Sequence, residues 1–197
     1  MNIKLLTAAV LAFCVSFGAQ ASLTSSGDLT VFDSDQNLTW TKDANLSLTL
    51  GNDAEGQMDW ATAVAWADNL EYAGYTDWVL PTITQLTNQF FTNLGVEEYE
   101  SIRYFHNDSY DLFTNIQSSV YWSGSEHATN PGYAWGFDTA YGDLYTINTY
   151  YQYFAWAVRP GDVAASAPAA VPLPSATWLF LSGLMGVVGL KRRKNID

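Results

Sequence analysis

The sequence predicts a single α+β domain that is exported and followed by a membrane-sorting tail. Three observations predict it: helix-like segments come early, strand-like segments come late, and an apolar run lies at each end of the 197-residue chain. Early helices followed by consecutive strands are typical of α+β domains and not of parallel sheets. The predicted segments are a signal peptide over 1–21, a folded domain over 22–162, an Ala/Pro linker over 163–175, a transmembrane helix over 176–190 and a basic cytoplasmic tail over 191–197.

The first strands are predicted to form a hairpin. Residues 29–32 and 38–40 are short alternating apolar segments on either side of a polar turn at 33–37. Alternation of this kind with turn residues between is typical of paired strands. The next stretch, 46–57, is polar and contains glycine, which predicts a loop.

A helix is predicted after this loop. Apolar residues over 60–70 recur at helical spacing. Asp59 is placed as its N-terminal cap, and Gly74 is predicted to end it.

The rest of the domain is predicted to contain one more helix and several strands. Residues 77–81 predict a short buried strand stopped by proline, and Thr82 begins a second helix that continues through Phe90. No assignment follows from 96–116. The last third has β-branched and aromatic residues between Gly, Asn and Pro turns, which predicts an antiparallel meander. Its predicted strands are 119–123, 133–137, 143–147 and 153–159.

The N-terminal end has the three parts of a signal peptide. A short region with one cation, Lys4, precedes an apolar run over 5–17, and small residues at Ala19 and Ala21 form the small-x-small pattern that signal peptidase accepts. The mature chain is therefore predicted to begin at Ser22.

The C-terminal end predicts a short membrane anchor. Fifteen apolar or small residues over 176–190 span about 22 Å as a helix, somewhat less than a hydrocarbon layer of about 30 Å. The cations that follow stay on the cytoplasmic side, and Pro172 and Pro174 end the helix on the outer side. These cations are Lys191, Arg192, Arg193 and Lys194. A plain anchor or a buried core helix are the alternatives, and three glycines disfavour the core helix.

The charge of the exported part limits its partners. Nineteen acidic residues against three basic ones between positions 22 and 170 leave a net charge of about −16. Nucleic acid and anionic membrane surfaces are therefore not expected as partners. The acidic surplus fits either calcium binding or simple solubility, and solubility is favoured. The one cysteine, Cys14, lies in the signal peptide, so the mature chain is expected to have no disulfide or thiolate metal site.

Short motifs along the domain occur in a specific order. They are Asp28-Leu-Thr-Val31, Leu38-Thr-Trp40, Trp60-Ala-Thr-Ala63, Gly74-Tyr-Thr-Asp-Trp78, Leu80-Pro-Thr-Ile83, Tyr121-Trp-Ser123 and Ala155-Trp-Ala-Val-Arg-Pro-Gly161. Together, over about 27–162, they resemble the Lcl-type C-terminal domain family, a bacterial module. The resemblance implies a C-type-lectin-like fold and a role in adhesion or glycan association. Val79 stands where the family usually has Arg, and Gln85 where it often has Glu.

The C-terminal tail carries a second resemblance. Pro172-Leu-Pro174, Trp178-Leu-Phe180 and the terminal cations resemble the PEP-CTERM sorting signal of Gram-negative bacteria, with Leu173 in place of the usual Glu. The resemblance implies a transient inner-membrane anchor, removal by an exosortase-type protease, and release to the cell surface or an exopolysaccharide matrix.

Residues 33–37 contain the first ligand positions of a calcium loop. The candidate ligands are Asp33, Asp35 and Asn37. Leu38 replaces the glycine needed at the sixth position, and Ala44 replaces the glutamate needed at the twelfth. A turn capped by side chains is therefore favoured over calcium binding.

No catalytic residue or cofactor is predicted. His106 and His127 are the only histidines and lie in loop-like sequence, with no Gly-x-Ser-x-Gly elbow. The absence of cysteine from the mature part argues against the formylglycine-generating oxidases of related folds. A hydrolase of matrix polymers would need two carboxylates in one cleft.

Five tyrosines in one stretch are the candidate ligand-facing residues. Aromatic rings of this kind either stack on sugars or pack within a sheet, and the sequence leaves both readings open. They are Tyr141, Tyr145, Tyr150, Tyr151 and Tyr153. The tryptophans are predicted to lie in the core. The expected function is non-enzymatic association with extracellular polysaccharide, the alternative being a structural or protein-adhesion module without a sugar site.

Overall fold

The computed structural model describes residues 22–163. The predicted signal peptide, almost all of the linker, the transmembrane helix and the basic tail lie outside the described residues. Within residues 22–163, no helix has the length and apolar character needed to cross a membrane.

The described part is an α+β domain with two sheets and short helices. Its strands are β1 (Leu23–Ser25), β2 (Thr30–Asp33), β3 (Leu38–Thr41), β4 (Gln57–Met58), β5 (Val120–Glu126), β6 (Tyr133–Asp138), β7 (Asp143–Asn148), β8 (Tyr153–Phe154) and β9 (Val158–Pro160). Its α-helices are α1 (Leu46–Thr49), α2 (Trp60–Asp68) and α3 (Ile83–Thr87). Asn88–Asn93 continues α3 as a π-helix, and Ile102–Tyr104 and Tyr110–Leu112 are 3-10 turns.

The first sheet has the strand order β1-β2-β3-β9, with antiparallel neighbours throughout. The predicted hairpin is confirmed, because β2 and β3 pair from Thr30–Thr41 to Asp33–Leu38. The predicted loop over 46–57 is wrong in part. Leu46 is buried and anchors the short helix α1, and the loop ends in β4.

The N-terminal caps of the two longer helices are confirmed. The Asp59 carboxylate accepts a hydrogen bond from the Thr62 N–H at 2.8 Å. At the start of α3, the Gln85 N–H donates to the Thr82 hydroxyl at 3.2 Å, and the Thr82 N–H donates to Gln85 Oε1 at 2.8 Å. On the side of residue 85, this capping box needs a side-chain oxygen that accepts the Thr82 N–H, and glutamine provides that oxygen as well as glutamate does.

The predicted end of α2 at Gly74 is wrong. The helix ends at Asp68, and Asn69 follows as its C-cap with its side-chain amide bonded to the Ala65 carbonyl at 2.7 Å. Leu70 is buried just beyond, which turns the chain inward. Gly74, at φ +84°, serves instead a tight loop in which Tyr72 and Tyr75 exchange backbone hydrogen bonds.

The segment 77–81 is less regular than predicted. Trp78 and Leu80 are buried as expected, but only one bridge forms, in which Val79 and Val158 exchange backbone hydrogen bonds of 2.8 and 2.9 Å. The side chain of Val79 points outward and is 43% exposed.

The second sheet has the strand order β4-β8-β5-β6-β7. The antiparallel meander is confirmed for β5, β6 and β7. It is wrong for the predicted fourth strand, which divides into two. β8 lies parallel to β5, whereas β9 crosses to the first sheet and pairs with β3. The residues between them, Ala155, Trp156 and Ala157, are buried where the chain passes from one sheet to the other.

Trp156 lies at the centre of the main hydrophobic core. Its ring contacts Trp40 at a centroid distance of 4.9 Å and Phe113 at 5.0 Å, both edge to face. Phe90, from the π-helix, stacks on Phe137 of β6 at 4.8 Å. Offset and edge-to-face arrangements of this kind are the favoured ones for aromatic rings, so the core joins both sheets and the helical segment through aromatic packing.

Candidate functional site

Asp33 is buried at the end of β2 and caps the hairpin turn. Its Oδ1 accepts the N–H groups of Asp35 and Gln36 at 3.0 and 3.1 Å, and its Oδ2 accepts the side-chain amides of Gln36 and Asn93 at 2.7 and 2.6 Å. The carboxylate is thus satisfied by N–H donors, which is the geometry of a side-chain-capped turn. Asp35 and Asn37 are exposed.

No cluster of three or more His, Cys, Asp or Glu suited to a metal ion occurs within residues 22–163. Calcium binding at Asp33, Asp35 and Asn37 therefore remains a sequence prediction and gains no further support from the geometry of the turn.

The histidines pack on different aromatic rings. His106 contacts Tyr110 edge to face at 4.5 Å, and His127 stacks on Trp135 at 5.7 Å. The Nδ1 atom of His127 accepts a weak hydrogen bond from the Thr129 N–H at 3.4 Å. Each histidine thus packs against an aromatic ring of its own, and the two histidines do not share a site.

Two grooves on the described surface each present a single carboxylate. One, of about 340 Å³, is lined by Asn52, Asp53, Met58, Thr62, Ala65 and Trp66. The other, of about 180 Å³, is lined by Glu100, Ser101, Tyr104 and Phe105. Glycoside cleavage uses a pair of carboxylates about 5 to 10 Å apart, and neither groove supplies that pair.

Tyr150, Tyr151 and Tyr153 form a ladder of rings that begins at the turn between β7 and β8; we call it the tyrosine ladder. Ring centroids are 4.5 Å apart between Tyr150 and Tyr151, and 6.4 Å apart between Tyr151 and Tyr153. Tyr150 is 65% exposed and Tyr151 48% exposed, whereas Tyr153 is half-buried against Trp122. The inner ring thus fixes the ladder to the core, and the outer two face solvent.

Tyr141 lies in the turn between β6 and β7, Tyr145 lies within β7, and Tyr99 comes from a neighbouring loop; we call these three residues the acidic tyrosine patch. Tyr99, Tyr141 and Tyr145 are 75%, 64% and 42% exposed. The loop reaches the β6–β7 turn closely, because a Cβ added at Gly142 would lie 3.1 Å from the Tyr99 N and 3.0 Å from the Glu97 carbonyl.

Carboxylates surround this patch and act on its hydroxyl groups. A hydrogen bond to Glu98, the charge of that residue and the charge of Asp143 raise the pKa of Tyr99. Partial removal from water, followed by the charges of Asp143 and Asp138, raises the pKa of Tyr145. In the ladder, a hydrogen bond with Tyr151 raises the pKa of Tyr150. The hydroxyl groups of Tyr99, Tyr145 and Tyr150 therefore stay neutral at physiological pH.

Sequence reasoning missed two polar links that hold the framework of these surfaces. The Asp43 carboxylate accepts hydrogen bonds from the Asn45 N–H at 2.8 Å, the Thr49 hydroxyl at 2.5 Å and the Asn115 amide at 3.0 Å. Asp43 and Asn115 are 72 positions apart, so no local pattern in the sequence predicts their hydrogen bond.

The second link joins two of the sequence motifs. Arg159 of β9 forms a bidentate pair with Asp77, with N–O distances of 2.7 and 3.0 Å, and its guanidinium lies 4.0 Å from the centre of the Tyr75 ring. Arg159 is nearly buried, while the Asp77 side chain is half exposed. The pair fixes the loop after α2 to the first sheet.

A protein-family model matches most of the described domain. The model described as Lcl C-terminal domain matches residues 29–159, about two thirds of the chain. No curated protein matches the chain.

Proposed function

The chain belongs to the Lcl C-terminal domain family, and from that premise we propose that it is a non-enzymatic protein of the bacterial cell surface or exopolysaccharide matrix. It associates weakly with extracellular polysaccharide. In this proposal the domain has a C-type-lectin-like fold, and its ligand-facing residues are the exposed tyrosines.

The observation that carries the proposal is the exposure of Tyr150 and Tyr151 on a ladder fixed to the core through Tyr153. A flat apolar ring that is held in place loses little entropy when it stacks on the C–H face of a sugar. The hydroxyl groups of these tyrosines can donate hydrogen bonds to sugar oxygens.

The negative charge of the protein favours neutral over anionic polysaccharides as ligands. The exported part carries a net charge of about −16, and the acidic tyrosine patch has Glu98, Asp138 and Asp143 beside its rings. Anionic polymers are repelled by such a surface. We therefore expect neutral polysaccharides to be retained and uronate-rich or sulfated ones to be excluded at low salt.

Gel retardation tests the glycan proposal. The exported mature protein is run through gels that contain a neutral polysaccharide, with and without calcium. We expect retardation, and we expect the double variant Tyr150→Ala/Tyr151→Ala to lose most of it. Tyr104→Ala is the matched control, because Tyr104 is 84% exposed but lies outside both tyrosine surfaces. Absence of retardation for the unmodified protein on every neutral and anionic polymer tried would favour the module without a sugar site.

Export and sorting form the second part of the proposal. A signal peptide ends at Ala21, the anchor holds the protein transiently in the inner membrane, and an exosortase-type protease removes the tail near Pro172 and Pro174. Ser22 fits the role of first mature residue, because its hydroxyl donates to Asn93 at 3.0 Å and its carbonyl accepts the Ser34 N–H at 2.8 Å.

Mass spectrometry of the protein recovered from cells and medium tests export. We expect an N-terminus at Ser22 and the loss of the residues after the proline motif. Recovery of the protein only from cytosol, with Met1 and Asp197 both present, would refute the proposed localisation.

A further inference from the structure

β7 differs from the other outer strands of the two sheets. It is six residues long and pairs with β6 without a register shift. The other outer strands are protected: β1 has three residues, β4 has two, and β9 is bridged by Val79 and ends at Pro160. Proteins usually shield an outer strand by shortness, a bulge, lysine or proline. β7 has none of these, and its one charged residue, Asp143, lies at its first position.

The hydrogen-bond pattern shows which groups of β7 face outward. The Thr149 N–H donates to the Gly132 carbonyl at 2.9 Å, so residues 132 and 149 are a hydrogen-bonded pair of the β6–β7 ladder. Such pairs alternate along an antiparallel ladder. Tyr145 and Ile147 therefore bond to β6, whereas the backbone groups of Thr146 point away from it. β7 ends the strand order, and no strand within residues 22–163 pairs with its outer side.

The outward groups near the two ends of β7 already have partners. The Leu144 N–H donates to its neighbour Asp143 at 2.7 Å, and the Asn148 carbonyl accepts the Tyr151 N–H at 3.2 Å. The unsatisfied stretch is thus centred on Thr146, an exposed residue.

We propose that β7 is the contact edge of a homodimer, in which β7 of a second copy lies antiparallel with Thr146 on the two-fold axis. This register places Thr146 opposite Thr146 as a hydrogen-bonded pair, and Tyr145 opposite Ile147. Threonine pairs and aromatic–β-branched pairs are both favourable across strands. A self-complementary patch of this kind closes as a dimer and does not extend into a filament.

Charge selects this register over its neighbour. With Thr146 on the axis, Asp143 lies opposite Thr149, a neutral polar residue. If Tyr145 were on the axis instead, Asp143 would lie opposite Ile147, and a carboxylate would face an apolar side chain. The proposed register is therefore the one of these two that leaves no charge on an apolar neighbour.

The dimer should be weak and strengthened by salt. One strand pair is a small interface, which is typical of transient contacts, and two strongly acidic copies repel each other until salt screens them. Dimerisation would join two five-stranded sheets into one and bring the tyrosine ladders of two copies into one assembly. Two linked sites hold a polymer more tightly than either site alone.

Sedimentation of the exported mature protein over a range of concentrations, at about 0.05 M and about 0.5 M salt, tests the proposal. We expect a monomer–dimer equilibrium that shifts toward dimer at the higher salt. Thr146→Lys should raise the dimer dissociation constant about tenfold or more, because two like charges would meet at the axis. Circular dichroism checks that the variant remains folded.

A charge-swap pair tests the register itself. Thr146→Lys and Thr146→Glu should each dimerise more weakly than the unmodified protein, and their equimolar mixture should dimerise more tightly than either variant alone, because residue 146 faces itself across the axis. Thr24→Lys, at an exposed threonine of the outer strand β1, is the matched control and should dimerise as the unmodified protein does. An unmodified protein that stays monomeric at high salt, or a folded Thr146→Lys variant that dimerises normally, would overturn the proposal.

Discussion

The tryptophan-bearing and tyrosine-bearing segments of this domain use aromatic rings in opposite ways. Trp78, Trp122 and Trp156 are fully buried, and the indole N–H of each donates to a backbone carbonyl, at 3.1, 2.9 and 2.8 Å. Tyr141 and Tyr150 keep most of their surface in water. A buried polar group without a partner destabilises the fold, whereas an exposed hydroxyl has water. The difference assigns these three tryptophans to the framework and leaves the exposed tyrosines free for binding.

Not every aromatic residue follows this division. Trp40 is an exception among the fully buried tryptophans, because its indole N–H has no hydrogen-bond partner within residues 22–163. Trp60, Trp66 and Trp135 are only half-buried, and Tyr121 is a tyrosine of the core.

Truncation of Trp156 should give the largest effect on stability. We expect Trp156→Ala to lower the free energy of unfolding by about 3–5 kcal/mol, because it leaves a cavity at the centre of the core and removes the donor to the Thr41 carbonyl. Urea denaturation followed by fluorescence or circular dichroism measures this change.

The same truncation on the tyrosine ladder is the control for this comparison. Tyr151→Ala should change the free energy of unfolding by no more than about 0.5 kcal/mol, as exposed substitutions usually do. If Trp156→Ala and Tyr151→Ala lowered the free energy of unfolding by similar amounts, the assignment of Trp156 to the framework and Tyr151 to the surface would be wrong.

The Asp77–Arg159 pair should give a smaller, pH-dependent effect. Hydrogen bonding and the charge of Arg159 lower the pKa of Asp77 from its ordinary value of 3.8, against the opposing effect of burial. The pair therefore stabilises the fold above pH 3.8, and this stabilisation is lost as the pH falls through the lowered pKa. We expect Asp77→Asn to lower the free energy of unfolding by roughly 1 kcal/mol near neutral pH. The effect is small because water screens the charge of a half-exposed carboxylate.

Urea midpoints at neutral pH and at pH about 2 to 3 separate this pair from general acid effects. The Asp77→Asn variant and the unmodified protein should converge as the pH falls below the lowered pKa. Asp68→Asn, at an exposed carboxylate on the last residue of α2, serves as the control and should leave the midpoint at neutral pH nearly unchanged. A constant gap between Asp77→Asn and the unmodified protein at all pH values would exclude the ion pair as its cause.

Local signals were sufficient for the helix starts and the first hairpin. Asp59 and Thr82 bond to N–H groups three residues away, so the sequence around each residue contains the whole interaction.

Helical spacing continued α2 too far, because it did not reveal the C-cap at Asn69. The crossing at Trp156 depends on distant packing, and alternation alone continued the predicted strand 153–159 through it. The family resemblance supplied the order of the motifs but not their contacts, such as that of Asp77 with Arg159.

The candidate surface could be predicted only in part. The crowding of tyrosines was visible in the sequence, but whether each ring faces the core depends on what covers its strand. Tyr153 is half-buried because Trp122 lies beside it, whereas Tyr145 is exposed near the outer edge of the sheet. Asp33 was a candidate metal ligand because residues 33–37 match the start of a calcium loop. Its actual partner Asn93 lies sixty positions away, so local sequence could not reveal it.

The passage of the chain through Trp156 has a consequence for the order of events during synthesis. The indole of this residue bonds to Thr41 across 115 positions, and β9 completes the first sheet only after it. A nascent chain that stops short of this point has an unfilled core, so it cannot reach its final compact form. The chain would thus stay incompletely folded until its last segment is made. For the export proposed above, such a chain can still pass through a translocation channel.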